Sequence, residues 1–226
     1  MTTYKKSKET REKILEFAKK SFYELGFEKT TVRNITGKAG MNHALAYYHF
    51  NGKYDIAHQI IDEYHQKMEL LFNEMVKENL DPLLKLLVLY RFDLREMYEN
   101  KRDFDFYVSV YQESYYDQDF VRDCKKIGEY YDMNFDPKKI EIAAIATSTS
   151  WGQLYTNKEV PYEDHFSHKD IMDAIDIMRW AYLGFTNDFI IEKIEKADTI
   201  LETLPMVNIL LLSPEAERPS LDYPNF

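Results

Sequence analysis

A chain of 226 residues, 45% hydrophobic and 15% aromatic, can bury a substantial core in one large or two small domains, which excludes a disordered protein. No apolar run reaches the ~18 residues that span a bilayer, the N-terminus MTTYKKSKETREK lacks the apolar stretch of a secretion signal, and the single Cys124 cannot form an internal disulfide, so a cytoplasmic protein with no membrane partner is expected. The net charge of −10 argues against nucleic acid only until it is divided: residues 1–53 hold eleven Lys and Arg against five Asp and Glu, and the remainder holds eighteen against thirty-four.

The basic head opens with an amphipathic segment, residues 8–25. There Ile14, Leu15, Phe17, Ala18, Phe22 and Leu25 recur at three- and four-residue spacing and Gly26 follows as a stop. Thr30 or Thr31 then caps a short helix that carries Val32, Ile35 and Ala39 inward and ends at Gly40. Asn42 caps a third, from His43 to Phe50, stopped by Asn51-Gly52. Two short helices joined by a tight turn containing glycine describe a helix-turn-helix.

From Lys53 the apolar stripe lengthens, through Ile56, Ile60, Ile61, Tyr64, Met68, Phe72 and Val76, into a bridging helix of about seven turns. Asp81-Pro82 starts another helix to about Tyr98. Residues 103–116 and 119–131 read as shorter aromatic-rich helices, Asp136-Pro137 opens an apolar one rich in small residues, and 157–168 reads as a loop. A last long helix is expected from His168 or Lys169 toward Leu204, bent near Gly184, followed by an irregular tail punctuated by Pro205, Pro214, Pro219 and Pro224. The fold class is all-α.

A recognition helix presents its first residues to base edges in the major groove while flanking groups hold phosphates. In the third helix His43, Ala44 and Leu45 occupy that first turn, Tyr47 and His49 flank it as hydroxyl and imidazole, and Lys53 offers a point charge for phosphate. A bare run of Tyr47, Tyr48 and Phe50 could equally be core aromatics. The cap, the glycine turn and the basic setting favour a mixture of inward and outward side chains.

Residues 8–56 resemble the DNA-binding domain of the tetracycline-repressor (TetR) family. The resemblance rests on Phe22 with Gly26-Phe27, the run Thr30-Thr31-Val32-Arg33, Ala39-Gly40, and Tyr47-Tyr48-His49-Phe50 with Lys53 beyond. It implies phosphate contacts for Thr31, Tyr47, His49 and Lys53, and base contacts for Arg33, His43, Ala44 and Leu45 on double-stranded DNA. It also implies a division into a helix-turn-helix domain, 1–53, and a larger helical domain, 54–226, that binds a small-molecule effector and forms a homodimer through its last long helices. The chain departs from the family pattern at Thr36, at Gly37 inside a short helix, and at Leu45-Ala46, where a Thr-Leu pair is common.

In the larger domain the small residues of AAIATSTSWG, 143–152, and the face of Ile171, Ile175, Met178 and Tyr182 suit close helix packing, within one chain or between two. Tyr98, Tyr107, Tyr111, Trp151 and Tyr155 are candidate pocket aromatics, and acidic neighbours such as Glu96 and Glu99 would suit a cationic ligand. Enzyme chemistry is not expected. His58, Asp62 and His65 share a helical face without a fourth ligand, Ser148 and Ser150 lack a nucleophile turn, and no Gly-rich phosphate loop exists; no metal and no cofactor are expected. The function that follows is a ligand-responsive homodimeric transcriptional regulator, most simply a repressor, at a near-palindromic operator. The alternative is a DNA-bound adaptor whose larger domain binds a protein, with the tail from Met206 as docking segment.

Overall fold

The computed structural model describes residues 2–111, 118–156 and 167–212, with side chains omitted at a few of these positions. Among them the chain forms ten α-helices and no strand. Helix α1 (Thr2–Leu25) begins earlier than its apolar stripe; Ile14, Leu15, Ala18 and Phe22 face inward, and Gly26 ends it in the left-handed region at φ +79. Helices α2 (Val32–Lys38) and α3 (His43–His49) are each two turns long, and α4 (Lys53–Met75) follows.

Local chemistry fixes the later helix starts. At α5 (Pro82–Tyr98) the Asp81 carboxylate accepts the Leu84 N–H at 3.0 Å, and at α6 (Lys101–Tyr111) the Asn100 amide oxygen accepts the N–H groups of Arg102 and Asp103. Helix α7 (Gln118–Tyr131) precedes α8 (Pro137–Thr156), where Asp136 accepts the Lys138 N–H at 3.0 Å.

The single long helix expected near the C-terminus is two. Helix α9 (His168–Leu183) closes on Gly184, whose φ of +117 is open to glycine and strained for other residues, and Thr186 caps α10 (Asn187–Thr203). The expected bend is therefore a full break: the Gly184 and Phe185 N–H groups both close on the Trp180 carbonyl, and the Thr186 cap opens a new helix.

The described chain divides into two compact units. The first comprises the described parts of Met1–Leu71, Glu96–Val110 and Asn208–Leu221, and contains the whole helix-turn-helix segment. Its core joins Phe22, Phe27 and Phe106, with ring centroids 4.9–5.9 Å apart, and Tyr54 stands edge-on to Phe27. Two buried carboxylates of this unit hold the C-terminal segment: Glu96 accepts the Asn208 N–H at 2.7 Å, while Asp103 accepts those of Leu211 and Leu212 at 2.8 and 3.1 Å. Residues 205–212 form no helix, and Leu211 and Leu212 are buried in the chain itself, while Pro214, Pro219 and Pro224 lie outside the described residues.

The second unit comprises Phe72–Arg95 and the described parts of Tyr111–Val207. Helices α7 and α10 flank the pair α8 and α9, and Phe72, Phe92, Phe120 and Trp180 fill the interior. Arg91 is buried here against three carboxylates, Asp173, Asp176 and Asp198. Nearer the surface, Asp81 accepts bonds from the Tyr131 hydroxyl and Lys193 ammonium, both at 2.5 Å; burial alone would raise its pKa, but these partners hold it below the ordinary carboxylate value.

Candidate nucleic-acid interface

The first three helices pack on one another, and each side chain of the helix-turn-helix goes where its neighbours force it. Thr31 is the N-cap of α2: its hydroxyl accepts the Asn34 N–H at 3.1 Å, while the Asn34 side chain accepts the Thr31 N–H at 2.9 Å. Thr30, the other candidate cap, is buried and donates instead to the carbonyls of Ser21 and Gly26. In the turn, Gly40 adopts φ +64, and the Met41 N–H returns to the Thr36 carbonyl at 2.9 Å. Asn42 then caps α3 by accepting the Ala44 N–H at 3.0 Å.

Seven residues of α3 leave room for only one inward line. Ala46 and, at the C-cap, Phe50 take it; both are buried, and Arg11 covers the Phe50 ring at 5.2 Å. Everything else on α3 is turned outward or partly so. His43, Ala44 and Leu45 are exposed, as are Tyr47 at 57% and Tyr48 at 78%. The His43 and Tyr47 rings meet edge-on one turn apart at 6.5 Å, and half-buried His49 meets Tyr48 edge-on at 5.0 Å.

From the sequence Tyr47 is assigned a contact and Tyr48 none, although Tyr48 is the more exposed of the two. The i, i+4 pair Ala46 and Phe50 is the signal for it, because residue 48 lies on the face opposite that pair. The departures from the family pattern also find places: Ala46 fills a buried position with a small side chain, and buried Thr36 satisfies its hydroxyl on the Val32 carbonyl at 3.0 Å.

Charge is distributed unevenly over this surface. The acids of α1 are largely occupied: Glu16 pairs with Lys20, Glu12 with Lys8, and Glu24 with Lys38. Lys29 and Arg33, at either side of the Thr31 cap, are exposed and have no carboxylate within ion-pair distance among the described residues. Both remain available to an anion such as a phosphate.

Lys53 is placed differently from the expected surface cation. It is half-buried, its ammonium donates to the Phe27 carbonyl at 2.9 Å, and it stands 4.0 Å from the centre of the Phe27 ring. This contact ties the first turn of α4 to the chain leaving α1. The ammonium keeps N–H donors beyond the one given to Phe27.

Residues 14–60 match the sequence profile of the family described as bacterial regulatory proteins, tetR family. This similarity is confined to the segment from α1 to the first turns of α4. Over 82 residues the chain is 34% identical to a probable HTH-type transcriptional regulator, ArpR, of Pseudomonas putida, and 33% identical to the HTH-type transcriptional regulator TtgR of the same species. Each match covers 36% of this chain, and the chain spans 39% of the length of each relative. Among solved structures it is similar to SmeT in complex with triclosan, at 21% identity and a TM-score of 0.43 over 76% of this chain and 90% of that one. It is likewise similar to a γ-butyrolactone receptor, an ArpA-like protein, at 14% identity and a TM-score of 0.42 over 86% and 98% of the two chains.

For the pocket aromatics the side chains of Tyr98, Tyr111, Trp151 and Tyr155 lie outside the described residues. Tyr107 is described: it is half-buried on α6 with its ring edge-on to His65 of α4 at 5.9 Å. No helix of the described chain is long and apolar enough to cross a membrane.

Proposed function

We propose that the chain is a ligand-responsive, homodimeric transcriptional regulator, a repressor in its simplest form, that reads a near-palindromic operator. The observation that carries this is the outward set on a capped third helix. His43, Ala44, Leu45, Tyr47 and Tyr48 face solvent while Ala46 and Phe50 anchor the helix beneath them. In the major groove, Ala44 permits close approach, Leu45 meets a thymine methyl, and His43 with Arg33 supplies base-edge donors. Tyr47, His49, the Thr31 end of α2 and Lys53 take phosphates, and Lys53 does so with the donors that Phe27 leaves open.

The functional division we propose places DNA reading in residues 1–53, and effector binding and dimerisation in 54–226. Exposed Ile142 and Ile145 on α8, with Met178 and Tyr182 on α9, follow i, i+3 and i, i+4 spacing on two helices that pack together. Four large apolar side chains exposed on one helix pair support a two-fold interface. Two heads related by that axis would meet half-sites about one helical turn, roughly 34–36 Å, apart or a multiple of it. An effector acts by preferring one arrangement of the heads, and ~2–3 kcal/mol of differential affinity is sufficient for regulation.

Selection of bound duplexes from random DNA by the full chain tests the proposal. A two-fold-symmetric consensus bound by a dimer is expected; a monomer with no sequence enrichment would remove both the operator and the dimer.

A further inference from the structure

The second unit buries two arginines that differ in their carboxylate pairing. Arg91 is charge-paired three times: Nη1 and Nη2 donate to Asp176 and Asp173, both at 2.7 Å, and Asp198 lies 3.2 Å from Nε, which makes no hydrogen bond. Arg179, on α9, is only 6% exposed and has no carboxylate within ion-pair distance among the described residues. Within that same described set its one hydrogen bond runs from Nη2 to the Thr147 hydroxyl of α8 at 2.6 Å, while Nε is sealed from solvent with no partner. Asp176, one turn earlier on the same helix, gives its carboxylate to Arg91.

A guanidinium cannot shed its proton, so burial does not neutralise it as it would a lysine. The neutral contacts around Arg179 only partly replace lost water. Thr147 is a dipole whose own proton is directed at the Ala143 carbonyl at 2.8 Å, and the Phe120 ring lies 4.5 Å from the guanidinium carbon. A ring face favours a cation and blocks one side of it, yet it accepts no N–H in the guanidinium plane. What remains is a guanidinium with unfilled donors, carried on α9 and contacted from α7 and α8, and the Phe120 ring against it packs on Trp180 at 5.6 Å. That is the recognition geometry of a carboxylate joined to an apolar body.

We infer that Arg179 is the anchor for a small organic carboxylate, whose anion completes the buried cation and whose apolar part lies along the aromatic side chains of α7 and α9. The inference rests on the ligand-responsive reading above and names the chemical class of the effector. It replaces the cationic ligand that the acidic residues near Tyr98 suggest. Of those, buried Glu96 already accepts the Asn208 N–H.

The experiment uses the full chain with benzoate and its uncharged counterpart benzamide, read by thermal unfolding and by the 15N-labelled arginine Nε–H resonances. Benzoate is expected to raise the wild-type midpoint saturably and to shift one buried Nε–H resonance, with benzamide doing neither. Arg179→Gln, which retains a donor for Thr147, is expected to lose the response at least tenfold in apparent affinity. Arg179→Lys keeps the charge and should retain part of it, and the surface control Lys139→Gln all of it. Absence of any benzoate response in the wild type, or an undiminished response in a folded Arg179→Gln, overturns the site. If the variants do not fold, the wild-type resonance decides alone: no shift of a buried Nε–H on adding benzoate overturns the site. Operator release separates this inference from the reading beneath it. Benzoate bound at Arg179 without release leaves the anion site and removes its effector role, whereas release by an uncharged compound, unaffected by Arg179→Gln, leaves the regulator and removes this site.

Discussion

Asp103 offers a prediction whose size and sign follow from its surroundings. At the start of α6 it is 2% exposed, and its two oxygens accept the Leu212 and Leu211 N–H groups that fasten the C-terminal segment. Burial raises its pKa from 3.8 to about 6, against the opposing pull of those N–H groups and of Lys19. A carboxyl with a raised folded-state pKa binds its proton more tightly folded than unfolded. Its contribution to stability is thus fully present below pH 3.8 and is lost as pH rises through about 6. The shift corresponds to roughly 3 kcal/mol in all, of which about 2 kcal/mol falls between about pH 7.5 and 4.5. Asp103→Asn removes the titration. In urea unfolding followed by circular dichroism, acidification from about pH 7.5 to 4.5 should therefore move the stability difference by about 2 kcal/mol in favour of wild type. Parallel pH profiles, or a change favouring the variant, would refute the argument that burial dominates at this carboxyl.

Other substitutions probe separate features. Gly37 lies in α2 with right-handed backbone, and a Cβ there meets nothing within 4 Å, so Gly37→Ala should raise stability by about 0.5–1 kcal/mol in thermal or chemical unfolding. Arg91→Met leaves Asp173, Asp176 and Asp198 without their shared cation and should cost about 3–5 kcal/mol at neutral pH, with partial recovery on acidification. Lys53→Met keeps most of the apolar stem but loses the bond to the Phe27 carbonyl, so it should cost about 1 kcal/mol in unfolding and lower the salt slope of duplex binding by about one. A changed slope with unchanged stability would show that the contact with Phe27 contributes nothing.

The helix-turn-helix was legible because its signals are local. Caps at Thr31 and Asn42, the glycine turn and the inward pair Ala46 and Phe50 each involve residues within a few positions of one another. The start of α5 at Pro82 and the break near Gly184 were visible for the same reason, although a glycine alone does not reveal whether a helix bends or ends; here the Thr186 cap decides. Long-range arrangements left no such trace. Nothing around Asp103 in the sequence foretells Leu211 and Leu212, more than a hundred residues away, and Arg91 gives no hint of three aspartates from α9 and α10. Lys53 is the instructive case on the proposed interface. Its position in the motif suggests a free cation, while its contact with Phe27, twenty-six residues earlier, depends on how α1 ends and α4 begins.

The most direct measurement is duplex binding by the full chain as a function of salt, comparing wild type with Arg33→Ala and Tyr47→Phe on a selected site. Arg33→Ala is expected to weaken binding by about 1–3 kcal/mol and relax preference at the base pairs it faces, while Tyr47→Phe weakens all sequences alike. Equal affinity and equal salt dependence for all three proteins, or no duplex binding by the wild type at low ionic strength, would contradict a DNA-reading surface on α2 and α3.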